Sequence, residues 1–464
     1  MGSTYRGPFT DGPPPSALSA EAPPLRQFRM ADVTRLVVVI SVLSVWVLRA
    51  LAARALRRRG TSIAATACDG LIDGFIHLGP TFVKAGQIIA SSGVMFPDVL
   101  ATAARRCLDS VPSFPSEQAR AAIEADLGRP IDEVFASFED RPLSAASIGQ
   151  VHAVKLHDGR EAVVKVQRPG IRETMAIDLR NGYRIAWLIE RTPWGRTSGA
   201  TGVITDLHGV TFRELNPALE AYQQAGFRER IWAFGDNFGV TAPEVYWDYC
   251  GPNVICMERV YGSPMDRFEE LRDRGVDGQK ILRMGAKVWA EAAMIHGPFH
   301  GDMHAGNIWV LDDGRGCFLD FGIMGELAPE WRQLLKDLFY TCTFDLDFSR
   351  VAASYKNVGA IPAEMDEASL ALFLNGVLGP MLNDGFGSID IVQLVAQSLQ
   401  MLKTYEASVP QELVLIAKQL LYIDKYTKFL APDYSITADP FIVKNVFPEE
   451  AAKKAADLGA EFPA

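Results

Sequence analysis

The 464-residue sequence predicts an α+β fold of two lobes with a helical N-terminal extension. Three observations predict it. A strand-rich segment begins near Pro142 and sits between helical segments. A mostly helical half follows, interrupted by one small hairpin. One basic, apolar stretch precedes everything of globular texture, so helices and strands are segregated along the chain rather than alternating.

Composition sets the bounds. The chain is 48% hydrophobic and 22% charged, ordinary usage for a globular protein with a sizeable core. A net charge of −10 argues against a nucleic-acid partner. The six cysteines (Cys68, Cys107, Cys250, Cys256, Cys317 and Cys342) form no CxxC pair, which points to buried thiols of a reducing compartment and to neither a zinc site nor a disulfide framework.

Residues 1–32 contain GPFTDGPPPSALSAEAPPL, rich in Pro, Ser and Ala and without apolar periodicity, and are expected to be a disordered leader. Residues 33–60 hold 13 consecutive apolar or small residues, Leu36 to Leu48, followed by Arg49, Arg54 and the run Arg57-Arg58-Arg59. A membrane span needs about 20 apolar residues, and this stretch reaches that only if its arginines snorkel. A basic amphipathic helix lying on an anionic membrane fits better; the alternative is an ordinary buried helix. The basic residues follow the apolar run, which is the wrong order for a secretory signal peptide.

Residues 61–140 read as a helical extension containing LGPTFVKAGQIIASSGVMFPDVL, broken at Gly79-Pro80 and at Pro97. Residues 141–262 form the strand-rich lobe. LSAASIGQVHAVKLHDGREAVVKVQ alternates apolar and polar residues around Asp158-Gly159, which is a hairpin signal. Helical texture covers Ile171–Glu190 and ELNPALEAYQQAGFRERIWAF, and TAPEVYWDYCGPNVICMERVYG reads as two more strands. Residues 263–445 form the helical lobe: 267–296 helical, then two short strands around an Asp-Gly turn in FHGDMHAGNIWVLDDGRGCFLDFG, then mostly helix from Ala328 to Leu430. Residues 446–464 are expected to be a flexible tail.

Phosphoryl transfer needs positive charge on the nucleotide phosphates, an acid to orient the acceptor, and a metal held by Asp and Asn. Each part has a candidate in the right order. Lys165 alternates out of the apolar strand Val163-Val164-Lys165-Val166, matching the phosphate-pairing lysine of V-A-I-K. Glu214 and Glu220 lie on the next long helical stretch, and either could pair with it. Asp302 precedes Asn307 by five residues, the spacing of a kinase catalytic loop, and Asp320 heads a literal D-F-G. His300, Asp302 and His304 taken alone could instead ligate a metal at i, i+2, i+4. The joint order of lysine strand, acidic helix, D-x4-N and D-F-G points to a nucleotide-dependent phosphotransfer fold of the protein-kinase kind. The histidines would then brace the loop. Where a protein kinase has a Gly-rich loop this chain has Ala145, Ala146 and Ser147, whose β-carbons limit how closely the backbone approaches phosphate.

The pieces LGPTFVKAGQ, PLSAASIGQVHAV, VVKVQRPGI, MERVYG, HGDMHAGNI, LDFGIMG and LAPDYSI, with the Glu214/Glu220 segment, make residues 61–435 resemble the UbiB/ADCK (AarF-like) family of atypical kinases. The resemblance implies a kinase-like fold, and an extension folded over the active site with its KxGQ lysine where a protein substrate would bind. It implies ATP or ADP and Mg²⁺ as cofactors, ATPase or small-molecule phosphotransfer, and support of isoprenoid quinone biosynthesis at a membrane. By the same resemblance Lys165 would bind the α/β-phosphates with Glu220 as its ion-pair partner. Ala145, Ala146 and Ser147 would line the nucleotide, and Met257 and Glu258 would be the hinge beside the adenine. Asp302 would be the catalytic-loop acid, Asn307 and Asp320 the Mg²⁺ ligands, and Lys84, Gln87 and Glu214 the gating elements, with Glu214 on Lys84.

Three departures stand out. The family's E-x-D is Glu214-Leu215-Asn216 here, removing one negative charge near the expected Lys84 site. Met303 and Ala305 replace the two prolines of HxDPHPGN, which should loosen the loop slightly. Many bacterial relatives end in two transmembrane helices; none is visible here, so the N-terminal helix is expected to be the membrane element. The expected partners are nucleotide, a membrane lipid or quinone-like molecule, and quinone-biosynthesis proteins. The expected location is the cytoplasmic face of the inner or plasma membrane, held peripherally or by one anchor. Two alternatives stay open: a nucleotide-sensing scaffold with little turnover, and a small-molecule kinase of the aminoglycoside or choline type, against which KxGQ argues.

Overall fold

The computed structural model describes residues 5–19, 21–57, 62–91, 97–107, 113–146, 148–192, 195–196, 199–361, 366–382, 410–434 and 439–458. Ser147 and the arginines Arg58 and Arg59 lie outside the described residues, as do 1–4, 20, 435–438 and 459–464. The fold is α+β and divides into two compact units. The first holds Met1–Tyr222 and Val245–Arg259, the second Gln223–Glu244 and Val260–Ala464.

The first unit is built on an antiparallel sheet of β1 (Ser137–Phe138), β2 (Ser144–Ala145), β3 (Gly149–Lys155), β4 (Glu161–Gln167) and β5 (Val254–Glu258). β3 and β4 form the hairpin the alternation predicts, with Lys155 opposite Glu161 and His152 opposite Val164. The turn works because Gly159 adopts φ +92° and the Asp158 carboxylate accepts from the Arg160 N–H at 3.0 Å. β4 is central, flanked by β3 and β5. Its even residues Ala162, Val164 and Val166 are fully buried, so Lys165 and its odd neighbours project from the opposite face. The first half of the TAPEVYW stretch is not a strand of this sheet. Val240–Thr241 pairs instead with a strand of the second unit, and Trp247–Tyr249 is a single 3₁₀ turn.

Helices α1 (Met30–Arg57), α2 (Ile63–Leu78) and α3 (Pro80–Ser91) precede the sheet; α4 (Ile171–Ile189) and α5 (Ala200–Glu214) follow β4. One face of α1 is docked. Gly70 and Gly74 of α2 leave room for it, since a β-carbon at Gly70 would meet the Trp46 carbonyl at 2.9 Å and one at Gly74 would meet Leu43 at 2.8 Å. Its first two turns are tied to α4 by Asp32 with Arg180 at 2.6 Å and Arg184 at 2.9 Å, and by Arg35 with Asp178 at 2.8 Å. The other face exposes Val37, Val38, Ile40, Val45 and Leu48. Met30–Leu56 is long and apolar enough to cross a membrane.

The described residues of the leader, 5–19 and 21–32, are held against the first unit rather than disordered. Tyr5 and Phe9 are buried, and the Tyr5 hydroxyl donates to the Leu127 carbonyl at 2.7 Å. Arg172 donates to the Glu21 carbonyl at 2.9 Å and Asn216 to the Ala17 carbonyl at 2.9 Å. Composition argued for disorder, but two aromatic anchors and side-chain donors on the first unit hold this segment at several points.

The second unit contains α6 from Gln223 onward (the helix spans Pro217–Ala233) and a four-stranded sheet. That sheet is ordered Val240–Thr241, Gly316–Phe318, Ile308–Leu311, Gly262–Pro264. We label Gly262–Pro264 β6, Phe299–His300 β7, Ile308–Leu311 β8, Gly316–Phe318 β9 and Met324–Gly325 β10; β7 pairs β10. Helix α7 (Gly278–Glu291) packs beside the sheet, and α8 (Pro329–Tyr340) and α9 (Gln411–Leu430) come later. Phe227, Ile231, Val240, Trp289, Phe299 and Phe321 form part of its core. The tail is not wholly flexible: α10 (Pro448–Leu458) is helical, with Ala451 fully buried.

Candidate active site

In the first unit, two lysines far apart in sequence are each matched with an acid on the α5–α6 corner. Lys165 on β4 donates to Glu220 at 2.6 Å. Lys84 on α3 pairs with Glu214, the last residue of α5. Glu220 is 4% exposed, so an unpaired charge there would be costly. Asn216 sits between the acids: its Oδ1 accepts from the Leu219 N–H at 3.0 Å at the start of α6, and its Nδ2 donates to the leader. A small, open pocket is lined by Gly149, Lys165, Glu214, Pro217 and Glu220 among others. Gly149 must be glycine, because a β-carbon would meet the Val166 carbonyl oxygen at 2.5 Å.

The remaining first-unit candidates surround this pair. Ala145 is opposite Gln150 in the ladder, and the Ala146 N–H donates to the Gly149 carbonyl at 2.8 Å, closing a tight β2–β3 turn. Met257 and Glu258 end β5, opposite Val163 and Ala162, just before the chain passes to the second unit at Val260. Gln87 donates to the Cys107 carbonyl at 3.1 Å, and Gly86 packs where a β-carbon would collide with Cys107. The glycine of KxGQ therefore has a packing reason.

In the second unit, β7 delivers the loop from His300 to Asn307. His300 is fully buried; its Nε2 faces the carbonyls of Leu319 at 3.1 Å and Asp320 at 3.0 Å, and its Nδ1 accepts from the Asp302 N–H at 3.2 Å. Two carbonyl partners place the proton on Nε2, and burial holds the imidazole below its ordinary range, hence neutral. Both ring nitrogens are thus used inside the protein. That removes His300 from any His–Asp–His metal site, and among the described residues no group of three His, Cys, Asp or Glu could hold a metal.

Asn307 donates from Nδ2 to the Asp302 carbonyl at 3.0 Å, so Oδ1 is the atom that could ligate a cation. The Leu319 N–H donates to the Asn307 carbonyl at 2.8 Å, continuing the β8–β9 ladder and setting Asp320 next to Asn307 in register. Asp320 has φ +55°, a left-handed conformation that non-glycine residues adopt at constrained sites, and its Oδ1 accepts from the Gly322 N–H at 3.2 Å. An amide oxygen and a carboxylate suit a hard cation such as Mg²⁺, which takes few protein ligands alongside phosphate oxygens and water.

Asp302 itself accepts from Lys418 of α9 at 2.7 Å, and its second oxygen lies 3.6 Å from His304 Nε2. His304 Nδ1 accepts from the Gly306 N–H at 3.0 Å. Met303 does not loosen the loop. It is 4% exposed, its N–H donates to Gln419 at 2.7 Å, and its carbonyl accepts from Tyr426 at 2.8 Å. A proline there could not donate that bond, so the departure is compensated by α9.

Residues 106–355, more than half of the chain, match the family model described as the ABC1 atypical kinase-like domain. An uncharacterized protein of Mycobacterium tuberculosis is 36% identical over 366 residues, covering 79% of this chain and 75% of the relative. The chain belongs to the ABC1 atypical kinase-like family. A "probable protein kinase UbiB" of Azotobacter vinelandii is 32% identical over 373 residues, covering 79% of this chain and 68% of the relative. A Mycobacterium tuberculosis protein solved with erythromycin aligns at TM-score 0.46 and 22% identity, covering 75% of this chain and 92% of that chain.

For an ABC1 kinase-like protein, the structure brings Lys84 to Glu214 and Lys165 to Glu220 in one unit, and His300, Asp302, Asn307 and Asp320 in the other. The spacing left either acid open for Lys165, and the fold resolves it. Sequence reasoning missed Lys418, Gln419 and Tyr426, which lie more than 100 residues beyond the loop they hold and carry no local motif. It also missed the second task of Asn216. The missing acid does not unmake the Lys84–Glu214 pair; the amide instead gains a donor that a carboxylate lacks.

Proposed function

We propose that this chain is a membrane-attached atypical kinase or ATPase that uses Mg²⁺-nucleotide in support of isoprenoid quinone, ubiquinone-type, biosynthesis. The observation that carries the reading is the loop His300–Asn307, tied through His300 to the backbone of Asp320, with Asn307 and Asp320 in adjacent register. Lys165, held by Glu220, supplies positive charge to the nucleotide phosphates. Asp302 orients the acceptor and takes its proton. Asn307 and Asp320 hold Mg²⁺, which when bound neutralises charge on the phosphates. Met257 and Glu258 border the adenine, and the Ala145–Ala146 turn covers the phosphates. Lys84, Gln87 and Glu214 gate the site from the extension.

The exposed apolar face of α1, opposite its docked face, supports attachment at the cytoplasmic membrane surface with the helix lying along it. Quinone-like lipids and quinone-biosynthesis proteins are the proposed partners. A second reading, a nucleotide-sensing scaffold, is favoured by the Lys84–Glu214 latch. The test is Mg²⁺-dependent nucleotide binding and hydrolysis by wild type and Asp320→Asn, with and without anionic liposomes. Turnover raised by liposomes and lost in the variant supports the enzyme. Binding without turnover in every condition supports the scaffold. No Mg²⁺-dependent binding sinks both.

A further inference from the structure

Asp302 takes a positive partner from outside its own loop. Gly301–Asn307 contains no lysine or arginine, so the loop has no fixed cation of its own. Lys418 provides one, donating to Asp302 Oδ1 at 2.7 Å. The next residue, Gln419, is fully buried and locked to the loop through Gly301 and Met303, both at 2.7 Å. The backbone of α9 is therefore fixed against the loop, while the Lys418 side chain remains 44% exposed and can swing on its four-carbon stem.

Phosphoryl transfer brings the terminal phosphoryl oxygens beside the acid that orients the acceptor, so two negative groups must approach each other. A cation shared between them relieves that repulsion. We propose that Lys418 is that cation: it holds Asp302 in the resting protein and carries positive charge onto the terminal phosphoryl group of a nucleoside triphosphate during transfer. In that step the bond from the terminal phosphorus to the bridging oxygen breaks, and its electron pair leaves with the nucleoside diphosphate. The bond from phosphorus to the acceptor oxygen forms, with water as acceptor in hydrolysis, and the acceptor proton passes to Asp302. Lys418 keeps all its protons throughout. The proposal rests on the nucleotide reading above.

The experiment is Mg²⁺-dependent binding of ATP and of ADP to full-length wild type, Lys418→Ala and Lys418→Arg, with melting temperature as the fold control. ADP lacks the group Lys418 would touch. One lost charge-assisted hydrogen bond corresponds to about tenfold. Lys418→Ala should therefore weaken ATP about tenfold and ADP by less than about twofold, and lower kcat by a similar factor in preparations that turn over. Lys418→Arg should retain ATP binding to within about threefold, since it keeps the charge. Equal losses for ATP and ADP, no loss for either, or an arginine variant as weak as the alanine one overturns the proposal and leaves the nucleotide reading standing. Wild type that binds neither nucleotide overturns both.

Discussion

The Lys165–Glu220 pair offers the sharpest test of the first unit. At 2.6 Å, with side chains 15% and 4% exposed, the pair has a Coulomb attraction of about 6 kcal/mol at an effective dielectric near 20. Desolvation of the two ions opposes this by several kcal/mol each, so the intact pair contributes little net stability. Removing one partner is different, because it strands a charge that has already left water. Glu220→Gln or Lys165→Met alone should each destabilise by about 3 kcal/mol, and the double variant by well under the summed loss, a coupling of about 2–3 kcal/mol. Amide hydrogen exchange at β4 and the start of α6 reads the local opening free energy directly and avoids assuming that a two-unit chain unfolds in one step. A coupling below about 0.5 kcal/mol would refute the pairing, because residues in contact at this burial must couple.

Two further outcomes follow from particular contacts. Asn216→Asp replaces the amide that donates to the Ala17 carbonyl with a carboxylate facing that carbonyl, so the leader should detach at a cost of about 1–3 kcal/mol. Limited proteolysis should then cut the leader faster, while the capping oxygen at Leu219 is kept; unchanged cleavage counts against the Asn216–Ala17 tether. His152, His208, His296 and His300 are each held below the ordinary imidazole range, first by burial. The unfolded chain therefore binds more protons once pH falls below about 6.5, so their contribution to stability is complete above that value and is lost as pH falls toward the depressed folded values. Each contributes at most about 1.4 kcal/mol per pH unit in that window. His300→Asn should flatten the dependence of the urea midpoint on pH between about 5 and 6.5, and an unaltered slope would count against a neutral His300.

What could be read from the chain before folding was what is encoded by short spacing. The β3–β4 hairpin follows from alternation and an Asp-Gly turn, and Lys165 projects away from the buried even residues of β4 because a strand repeats every two residues. Asp302, Asn307 and Asp320 announce themselves because one loop and one ladder fix their distances. The leader was misread because composition averages over a segment, whereas Tyr5 and Phe9 need only two receiving pockets.

Spacing left open which acid serves which lysine, what Asn216 holds and which cation faces Asp302; tertiary structure decided all three, and the lysine partners are those the family resemblance implied. Those partners are separated by 55 residues for Lys165 and Glu220, 130 for Lys84 and Glu214, and 116 for Asp302 and Lys418. No local period links such positions. Each pairing exists because the fold carries two distant segments to one place; for Lys165 and Glu220, both largely out of water, leaving either unmatched costs several kcal/mol.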